Sequence, residues 1–566
     1  MEVFYVERRV YQFDYTPEVP ADIRVVVGID FGTTFSGFAY ANVETGVVTS
    51  NEDWPGKKGP KKVPTVLQYD ENFDQVISWG FDALANEPTK RRKKDKSTPS
   101  RPVELFKLHL GDIQAKEKPV LPSKITPERA ITDYLQKLGE IIKEEVERRW
   151  PGIDFFRMVR LVVTVPAEFN EETKRIMRQC IFNAGLINDS GTQNLKFTTE
   201  PEAAAIHCMK ALKEHGLTIG DKYLVVDCGG GTVDLTVRKL LDDNQLGEDT
   251  ERSGDFCGGS YVDKEFLKFL EDKVGKNAIK MLHEKHYGHL SYMIQQFCER
   301  VKTRFTGEKS DFRKYSLDIE KVCPSLIQYV SGSALDELEE EDWEIEIDFE
   351  TVKSFFDPVI NRILRLISAQ LDASQCTVMF LVGGFSESKY LQQRIKQRFS
   401  QCKVAVPPYP MAAIARGAVE YGLDMSAVKN RILKWTYGCD HNPLFQAGDP
   451  PSRKQANGRI EKFFLMAQRG VQVEVNQKFS TRMTPVNPNQ TGMLFNFYYT
   501  AKKTAEFCDE PGMHKLGQFR VELPDTHLGT NRPVSVDLCF GAMEIVAIAK
   551  NETNGKIYKT TFKLDL

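Results

Sequence analysis

The sequence of 566 residues lacks the features that mark membrane-spanning, secreted and zinc-binding proteins. No uninterrupted apolar run approaches the ~18 residues of a transmembrane helix, and the charged N-terminal segment has no apolar stretch typical of a signal peptide. The 11 cysteines include no C-x-x-C pair, which favours reduced thiols over disulfides or zinc ligands. The net charge of −3 gives no general attraction to nucleic acid or anionic membranes. We therefore expect a protein of the cytoplasm, with the nucleus as a candidate additional location, that has no membrane span and no nucleic-acid partner.

Signatures of several other function classes are also missing. The sequence contains no H-E-x-x-H, G-x-S-x-G or G-x-G-x-x-G motif. Gly32 and Gly37 have the spacing of a Walker A loop, but Phe38 stands where that motif has lysine. A basic run, Lys90–Lys96, has no interleaved aromatic residues, and we interpret it and the acidic run Glu337–Asp348 as solvated surface.

The length and the apolar pattern predict regions of different structure. A chain of this length is too long for one hydrophobic core. Between residues 23 and 422, short β-branched runs such as "RLVVTVPAEF" and "KYLVVDC" alternate with helical patterns, which predicts an α/β fold with partly parallel sheets. Residues 423–566 contain short alternating strands and a two-residue hairpin turn at Asn554-Gly555, which predicts a β-rich domain. Residues 1–22 are interpreted as an N-terminal arm.

Two stretches of the chain follow the same plan. "VVVGIDFGTTFSGFAY" and "YLVVDCGGGTVDLTV" each run from an apolar strand to an aspartate, then to glycine and hydroxyl residues, and then to a second apolar strand. The aspartates are Asp30 and Asp227, and the chain between them is long enough to form a domain. The repetition predicts two similar domains that face each other across a cleft, although each turn alone could equally be an ordinary hairpin.

The residue types in these turns suit a polyphosphate. Glycines let backbone N–H groups approach an anion closely, and threonine hydroxyls can donate to phosphate oxygens. A nearby aspartate would repel the phosphates unless a cation lay between them. Mg²⁺ keeps several waters and is usually held by one or two carboxylates together with substrate phosphates. We therefore interpret Asp30 and Asp227 as residues that contact a hydrated magnesium ion.

A third glycine site follows another apolar run, "VMFLVGGFSESKYLQQRI". The strand is expected to end at Gly383-Gly384, and Ser386 is the predicted N-cap of the helix that follows. A glycine pair at a helix N-terminus is typical of nucleotide-binding sites.

Six segments, in this order, resemble those of the heat-shock 70 kDa (DnaK-like) family of actin-like ATPases. They are "GIDFGTTFS", "LVVTVPAEFN", "TEPEAAAI", "VDCGGGTVDLTV", "CERVKTRFT" and "LVGGFSESKYL". The resemblance implies a duplicated actin-like (ribonuclease-H-like) ATPase domain over residues 23–422, with lobe I at about 23–220 and lobe II at about 221–422 around a nucleotide cleft. The β-rich tail resembles a truncated substrate-binding domain without a helical lid. The Glu-Pro-Glu-Ala-Ala sequence, the long first lobe and "KWTYG" are similar to the divergent 12A/12B-type branch.

The resemblance also implies a ligand and roles for individual residues. ATP or ADP with Mg²⁺ would be bound, and Asp30, Glu200 and Asp227 would face the metal through water. The catalytic residues would be Lys107, Glu200, Asp227 and Thr232. The nucleotide would be bound by Gly32, Thr33, Thr34, Gly229, Gly230, Gly231, Thr232, Asp234, Gly258, Gly259, Glu299, Lys302, Gly383, Gly384 and Phe385.

Chemistry supports two of the roles that the resemblance implies. Glu200 precedes Pro201 and is expected in the first turn of a helix, where its carboxylate could orient the attacking water. A lysine at position 107 would offset charge that develops on the transferred phosphate.

The sequence departs from the family pattern at the adenosine site. Thr303 aligns with the family's adenosine-stacking arginine, and Met411 aligns with an aspartate near the end of the ATPase region. We therefore retain three hypotheses. The first is a slow ATPase whose nucleotide-driven lobe closure regulates binding of client or partner proteins, with co-chaperones as further candidate partners. The others are a nucleotide-binding scaffold without significant ATPase activity and a kinase of small metabolites.

Overall fold

The computed structural model describes residues 22–85, 87–88, 101–111, 118–166, 169, 171–242, 245–540 and 545–561. The predicted arm, apart from residue 22, and the basic run Lys90–Lys96 lie outside these residues. The chain forms two compact units. An α/β unit comprises Asp22–Arg238 and Ser253–Asp424, and a β unit includes Lys239–Arg252 and Met425–Leu566. The sequence pattern did not indicate that a segment within residues 23–422 belongs with the β-rich region.

Up to residue 424 the chain alternates strands and helices. The strands are β1 (Val25–Asp30), β2 (Phe35–Asn42), β3 (Thr49–Ser50), β4 (Asp53–Trp54), β5 (Lys57–Lys58), β6 (Val63–Pro64), β7 (Val66–Tyr69), β8 (Val76–Trp79), β9 (Val103–Glu104), β10 (Val159–Val165), β11 (Leu195–Thr199), β12 (Lys222–Cys228), β13 (Val233–Leu240), β14 (Leu246–Glu248), β15 (Ser253–Asp255), β16 (Tyr315–Asp318), β17 (Glu344–Ile347), β18 (Val378–Val382) and β19 (Lys403–Ala405). The helices are α1 (Pro127–Arg149), α2 (Phe155–Met158), α3 (Glu171–Asn183), α4 (Glu200–Leu212), α5 (Ser260–Val274), α6 (Lys276–Lys285), α7 (Tyr287–Arg300), α8 (Ile319–Val322), α9 (Ser333–Glu340), α10 (Phe349–Ala373), α11 (Lys389–Arg398) and α12 (Ala413–Leu423). Short 3-10 helices include Phe106–Leu110, Lys302–Arg304, Gly384–Glu387 and Pro410–Ala412.

The first large sheet of the α/β unit has the strand order β11-β10-β1-β2-β3, with β6 beside β2. Strand β1 is parallel to β10 on one side and antiparallel to β2 on the other. Every residue of β1 and β10 is buried, as expected for apolar strands whose two faces are both covered. The strand β1 therefore delivers Asp30 from the centre of a sheet.

The second large sheet repeats this arrangement. Strand β12 lies between its hairpin partner β13 and the parallel strand β18, and β19 follows β18. Asp227 lies near the end of β12 as Asp30 lies at the end of β1. The predicted α/β fold, built from two similar halves with partly parallel sheets, is confirmed.

Helix α12 packs against β1 and α4 because glycines remove side chains at the contacts. A Cβ atom on Gly28 would lie 2.4 Å from the carbonyl oxygen of Ala415, and one on Gly417 would lie 1.8 Å from that of Ala203. These distances are shorter than any van der Waals contact, so the backbones approach closely only without a side chain. The packing holds α4, which carries Glu200 as its first residue, close to β1.

The β unit has a core formed by two four-stranded sheets. Its further strands are β20 (Asn430–Ile432), β21 (Thr436–His441), β22 (Lys462–Ala467), β23 (Gln472–Glu474), β24 (Gln477–Met483), β25 (Gly492–Thr500), β26 (Met513–Glu522), β27 (Val534–Phe540), β28 (Ile545–Asn551) and β29 (Ile557–Thr561). The sheets have the orders β22-β21-β25-β26 and β24-β27-β28-β29, and one apolar cluster includes residues of both. The segment 239–252 joins this unit through polar contacts: the Ile432 N–H group donates to Glu248 at 2.7 Å, and Arg469 pairs with Glu251 at 2.8 Å.

Two local predictions were wrong in detail. The side chain that caps α11 belongs to Ser388, which accepts a hydrogen bond from the Leu391 N–H group, whereas Ser386 lies in the preceding 3-10 helix and donates to the Val382 carbonyl. Asn554 and Gly555 do lie between paired strands, but pairing ends at Lys550 and Ile557, so the loop is longer than two residues. Within the described residues, no helix is long and apolar enough to cross a membrane.

Candidate functional site

The two aspartate-ended strands lead to a common cleft in the α/β unit. The cleft is partly open to solvent. Its lining residues are Asp30, Gly32, Thr33, Thr34, Phe35, Lys62, Lys107, Glu200, Asp227, Gly229, Gly230, Gly231, Thr232, Gly383, Gly384, Met411 and Ile414.

The two glycine–hydroxyl turns face each other across this cleft at contact distance. A Cβ atom on Gly230 would lie 2.0 Å from the Thr34 hydroxyl, and one on Gly231 would lie 2.8 Å from the Thr33 hydroxyl. Any side chain on these glycines would push the turns apart. The sequence plan shared by the two stretches therefore corresponds to one shared site.

Backbone hydrogen bonds orient the second turn. The carbonyl groups of Gly229, Gly230 and Gly231 accept from the N–H groups of residues 259, 260 and 258, respectively. In a trans peptide the N–H group points opposite to the carbonyl of the preceding residue. The N–H groups of residues 230–232 therefore point away from segment 258–260, and successive N–H groups of this kind form an anion-binding nest.

Three carboxylates, from Asp30, Glu200 and Asp227, lie in the cleft and are 3 to 6% exposed. Burial raises the pKa of Asp227 well above its usual range, and three neighbouring carboxylates, of which Glu200 has the largest effect, raise it further. Such a cluster of like charges is stabilised by a cation.

Two lysines, with side chains 10% (Lys62) and 4% (Lys107) exposed, supply part of that positive charge. The Lys107 ammonium lies 2.7 Å from the Glu200 carboxylate, and the Lys62 ammonium lies 2.6 Å from Asp30. Burial lowers the pKa of Lys62, but attraction by the carboxylates, mainly Asp30, outweighs this effect, so that the pKa is raised overall. Lys107 also lies over the ring of Phe31, at 5.6 Å from the ring centroid, in the 3-10 helix Phe106–Leu110.

The residues present fit a hydrated Mg²⁺ ion. Within the described part of the chain, no three His, Cys, Asp or Glu side chains lie close enough to hold a metal directly. Mg²⁺, however, is commonly held through its waters by one or two carboxylates and by substrate phosphates. Asp30 and Asp227, beside the anion-binding turns, are the carboxylates that would hold it, and Glu200 lies in the same cleft.

The third predicted glycine site reaches the cleft from β18. Gly383 has a φ of +83°, and a Cβ atom there would lie 2.3 Å from the Asp227 carboxylate. Its N–H group donates to the Pro410 carbonyl at 3.1 Å, which holds the segment 410–412 beside the strand end. Gly383 therefore lets Asp227 keep its position in the cleft.

We expect Gly383→Ala to weaken binding of the nucleotide that the sequence resemblance implies by at least about tenfold, because the new methyl group strains the backbone and displaces Asp227. The measurement is a calorimetric titration of the variant with Mg-ATP. Gly275→Ala is the matched control: Gly275 also has a positive φ, +90°, but has open space around its Cβ position. The control variant should lose some stability and keep its nucleotide affinity, and equal losses of affinity in both variants would contradict the proposed displacement.

Six of the predicted site residues do not line the cleft. Gly258 and Gly259 lie behind the second turn, and Asp234 is buried on β13. Glu299 is exposed, Phe385 packs on Phe356, and the remaining residue, Lys302, pairs with Asp263 at 2.7 Å.

Four lining residues were missing from the sequence-based site: Phe35, Lys62, Met411 and Ile414. Met411 was noted only as a departure from the family pattern, and it lies 3.4 Å from the Cβ position of Gly384. Lys62 reaches the cleft because β6 pairs with β2, placing Val63 opposite Ser36. No local pattern around Lys62 indicates that pairing. Phe35, in contrast, could have been predicted, because it directly follows Thr33 and Thr34 of the first turn.

The duplicated halves, the facing turns and the paired aspartates define the class of the α/β unit, a two-lobed actin-like nucleotide-binding fold. The model of the family described as "Hsp70 protein" matches residues 26–422. The chain belongs to the Hsp70 family, whose members generally bind ATP or ADP with Mg²⁺.

Similar proteins extend the match beyond this unit. The chain is 27% identical to heat shock 70 kDa protein 12A of Mus musculus and 26% identical to that of Homo sapiens, over 94% of this chain and 90% of each relative. It is 25% identical to human heat shock 70 kDa protein 12B, over 94% of this chain and 89% of the relative. The predicted resemblance to the divergent 12A/12B-type branch is therefore confirmed, and it includes the β unit.

Proposed function

We propose that the chain binds ATP or ADP with Mg²⁺ in the cleft, hydrolyses ATP slowly, and uses nucleotide-driven closure of its lobes to regulate binding of a client or partner protein. The lobes correspond to about residues 23–220 and 221–422. The observation that carries this proposal is the pair of glycine–hydroxyl turns, which face each other at contact distance beside Asp30 and Asp227. Each turn contributes N–H or hydroxyl donors from a different half of the fold, so a polyphosphate bound between them would favour the closed arrangement.

The chain's own residues support ATP hydrolysis as follows. The N–H groups of residues 230–232 and the hydroxyls of Thr33, Thr34 and Thr232 would donate to phosphate oxygens. The Glu200 carboxylate would accept a hydrogen bond from the water that attacks the terminal phosphorus and would orient it. The Lys107 ammonium, beside Glu200, would stabilise negative charge on the transferred phosphoryl group. When bound, Mg²⁺ supplies charge neutralisation at the phosphates.

A nucleotide-binding scaffold without ATPase activity is a second candidate. Lys302, predicted to contact adenosine, is instead engaged by Asp263, and Met411 packs on Gly384 at the cleft. These contacts favour a nucleoside site that differs from the family pattern, while the phosphate turns and Lys107 favour hydrolysis. Turnover measurements separate the two candidates.

The first test of the proposed function is calorimetric titration of the full chain with Mg-ATP, beside Asp227→Asn. We expect saturable binding by the wild type and an affinity about three- to tenfold lower in the variant, because Asp227 faces the metal. Asp272→Asn, which changes an exposed carboxylate of α5, is the control and should bind as the wild type does. Absence of binding by the folded wild type would refute the proposed nucleotide site.

A further inference from the structure

Lys62 is the lysine of the cleft for which the sequence suggested no role. It precedes β6, its ammonium lies 2.6 Å from the Asp30 carboxylate, and its side chain is 10% exposed. The neighbouring Lys61 is directed elsewhere: it pairs with Glu52 and lies over the ring of Tyr409, 4.7 Å from the centroid. Two consecutive lysines thus have different surroundings, and of these two it is Lys62 that lines the cleft.

The position of Lys62 matters for the charge that a polyphosphate would meet. Asp30, Glu200 and Asp227 place three carboxylates in the cleft. Lys107 neutralises one of them, Glu200, by direct contact. Lys62 does the same for Asp30, which is one of the two carboxylates expected to face the metal. The Lys62 ammonium group therefore lies beside a carboxylate that is expected to face the divalent ion.

The ammonium group has the donors needed to bind phosphate without leaving Asp30. It carries three N–H donors on a flexible four-carbon stem, so one can stay on the carboxylate while others donate to an anion. Thr33 and Thr34, the hydroxyl residues of the first turn, line the same cleft. Phosphate oxygens held by that turn would lie in a region that Lys62 can reach.

We propose that Lys62 binds the terminal phosphates of the nucleotide and supplies part of the charge neutralisation that otherwise requires Mg²⁺, so that this protein binds ATP without a divalent metal. This inference rests on the proposed function, since it assumes that the cleft binds nucleotide. It assigns a phosphate-binding role to a residue that neither the sequence pattern nor the family resemblance had indicated.

The test compares ATP binding with and without the metal in four full-length proteins. The wild type, Lys62→Met, Lys62→Arg and Lys61→Met are titrated with ATP by calorimetry, once with Mg²⁺ and once with EDTA. We expect the wild type and Lys61→Met to lose no more than about tenfold in affinity when Mg²⁺ is removed. Lys62→Met should lose affinity under both conditions, by at least about tenfold more in EDTA than in Mg²⁺, and Lys62→Arg should retain most of the metal-free binding.

Each alternative result has a defined meaning. Binding by the wild type in Mg²⁺ but not in EDTA overturns the inference and leaves the proposed function in place. Equal losses for Lys62→Met under both conditions, or none in EDTA, also overturn it and leave Lys62 as a structural partner of Asp30. No binding by the folded wild type in Mg²⁺ refutes the proposed function itself. Should Lys62→Met fail to fold, the metal-free titrations of the wild type and Lys62→Arg still decide whether the cleft binds ATP without Mg²⁺.

Discussion

Replacing Lys107 with methionine is expected to lower the rate of ATP hydrolysis at least about 100-fold while changing nucleotide affinity by less than about threefold. Lys107 contacts the carboxylate that would orient water and lies in the cleft beside the phosphate-binding turns. Methionine keeps the length and apolar contacts of the side chain but has no charge to stabilise the transferred phosphoryl group. The measurement is single-turnover phosphate release with enzyme in excess over ATP.

The same substitution should also destabilise the protein, which requires a control. Lys107 and Glu200 form a buried ion pair whose side chains are 4% and 9% exposed. Removing one partner leaves a buried charge without compensation, at a cost of about 3–5 kcal/mol. The double variant Lys107→Met/Glu200→Gln should therefore recover much of the lost melting temperature and none of the turnover. Wild-type turnover that survives in Lys107→Met would show that the lysine is not catalytic, and a wild type that binds ATP without turnover would favour the scaffold.

Gly417→Ala is expected to lower the melting temperature of the α/β unit by several degrees, the largest stability effect we expect of any single methyl group. The new Cβ atom would lie 1.8 Å from the Ala203 carbonyl oxygen and 2.5 Å from its carbon. Both atoms belong to helix backbone, which cannot rotate away as a side chain can. Overpacking of this kind costs about 1–3 kcal/mol or more. Calorimetry of the full chain measures the shift.

A second helical glycine provides the control. Gly288 lies in α7, and no atom lies within 4 Å of its Cβ position. Gly288→Ala should therefore stabilise the chain slightly, by at most about 0.5 kcal/mol in this first turn of the helix, since alanine is the better helix former. The opposite signs of the two substitutions distinguish steric collision from helix propensity. A stability loss in both, or in neither, would contradict the close packing of α12 on α4.

Much of the candidate site could be predicted from the sequence because its parts are local. The strand, aspartate, glycine and hydroxyl residues of each turn are contiguous, so their order already specifies a strand that delivers a carboxylate to a glycine turn. The repetition of that order indicated two halves, and the structure brings Gly230 and Gly231 to contact distance of Thr34 and Thr33.

Some of the predicted residues lie outside the lining of the cleft, and their surroundings depend on tertiary contacts. Lys302 was assigned by family resemblance alone, and the structure pairs it with Asp263 of α5. Nothing in the residues around position 302 indicates that partner, because α5 lies far away in the sequence. The local sequence also does not indicate that segment 239–252 belongs to the β unit. This membership depends on the contacts of Glu248 with residue 432 and of Glu251 with residue 469.

The sequence by itself therefore determined the fold class, the two aspartate-ended hairpins, the β-rich region and the family. These properties depend on hydrophobic periodicity and on turns of a few adjacent residues, which act through local backbone geometry. Only the tertiary structure decided that Lys62 neutralises Asp30, that Lys302 pairs with Asp263, and that α12 packs on α4 through Gly417. Those contacts depend on sheet register and helix packing between residues distant in the chain. Their energies are set by burial and by backbone separation, which a local pattern of residue types does not specify.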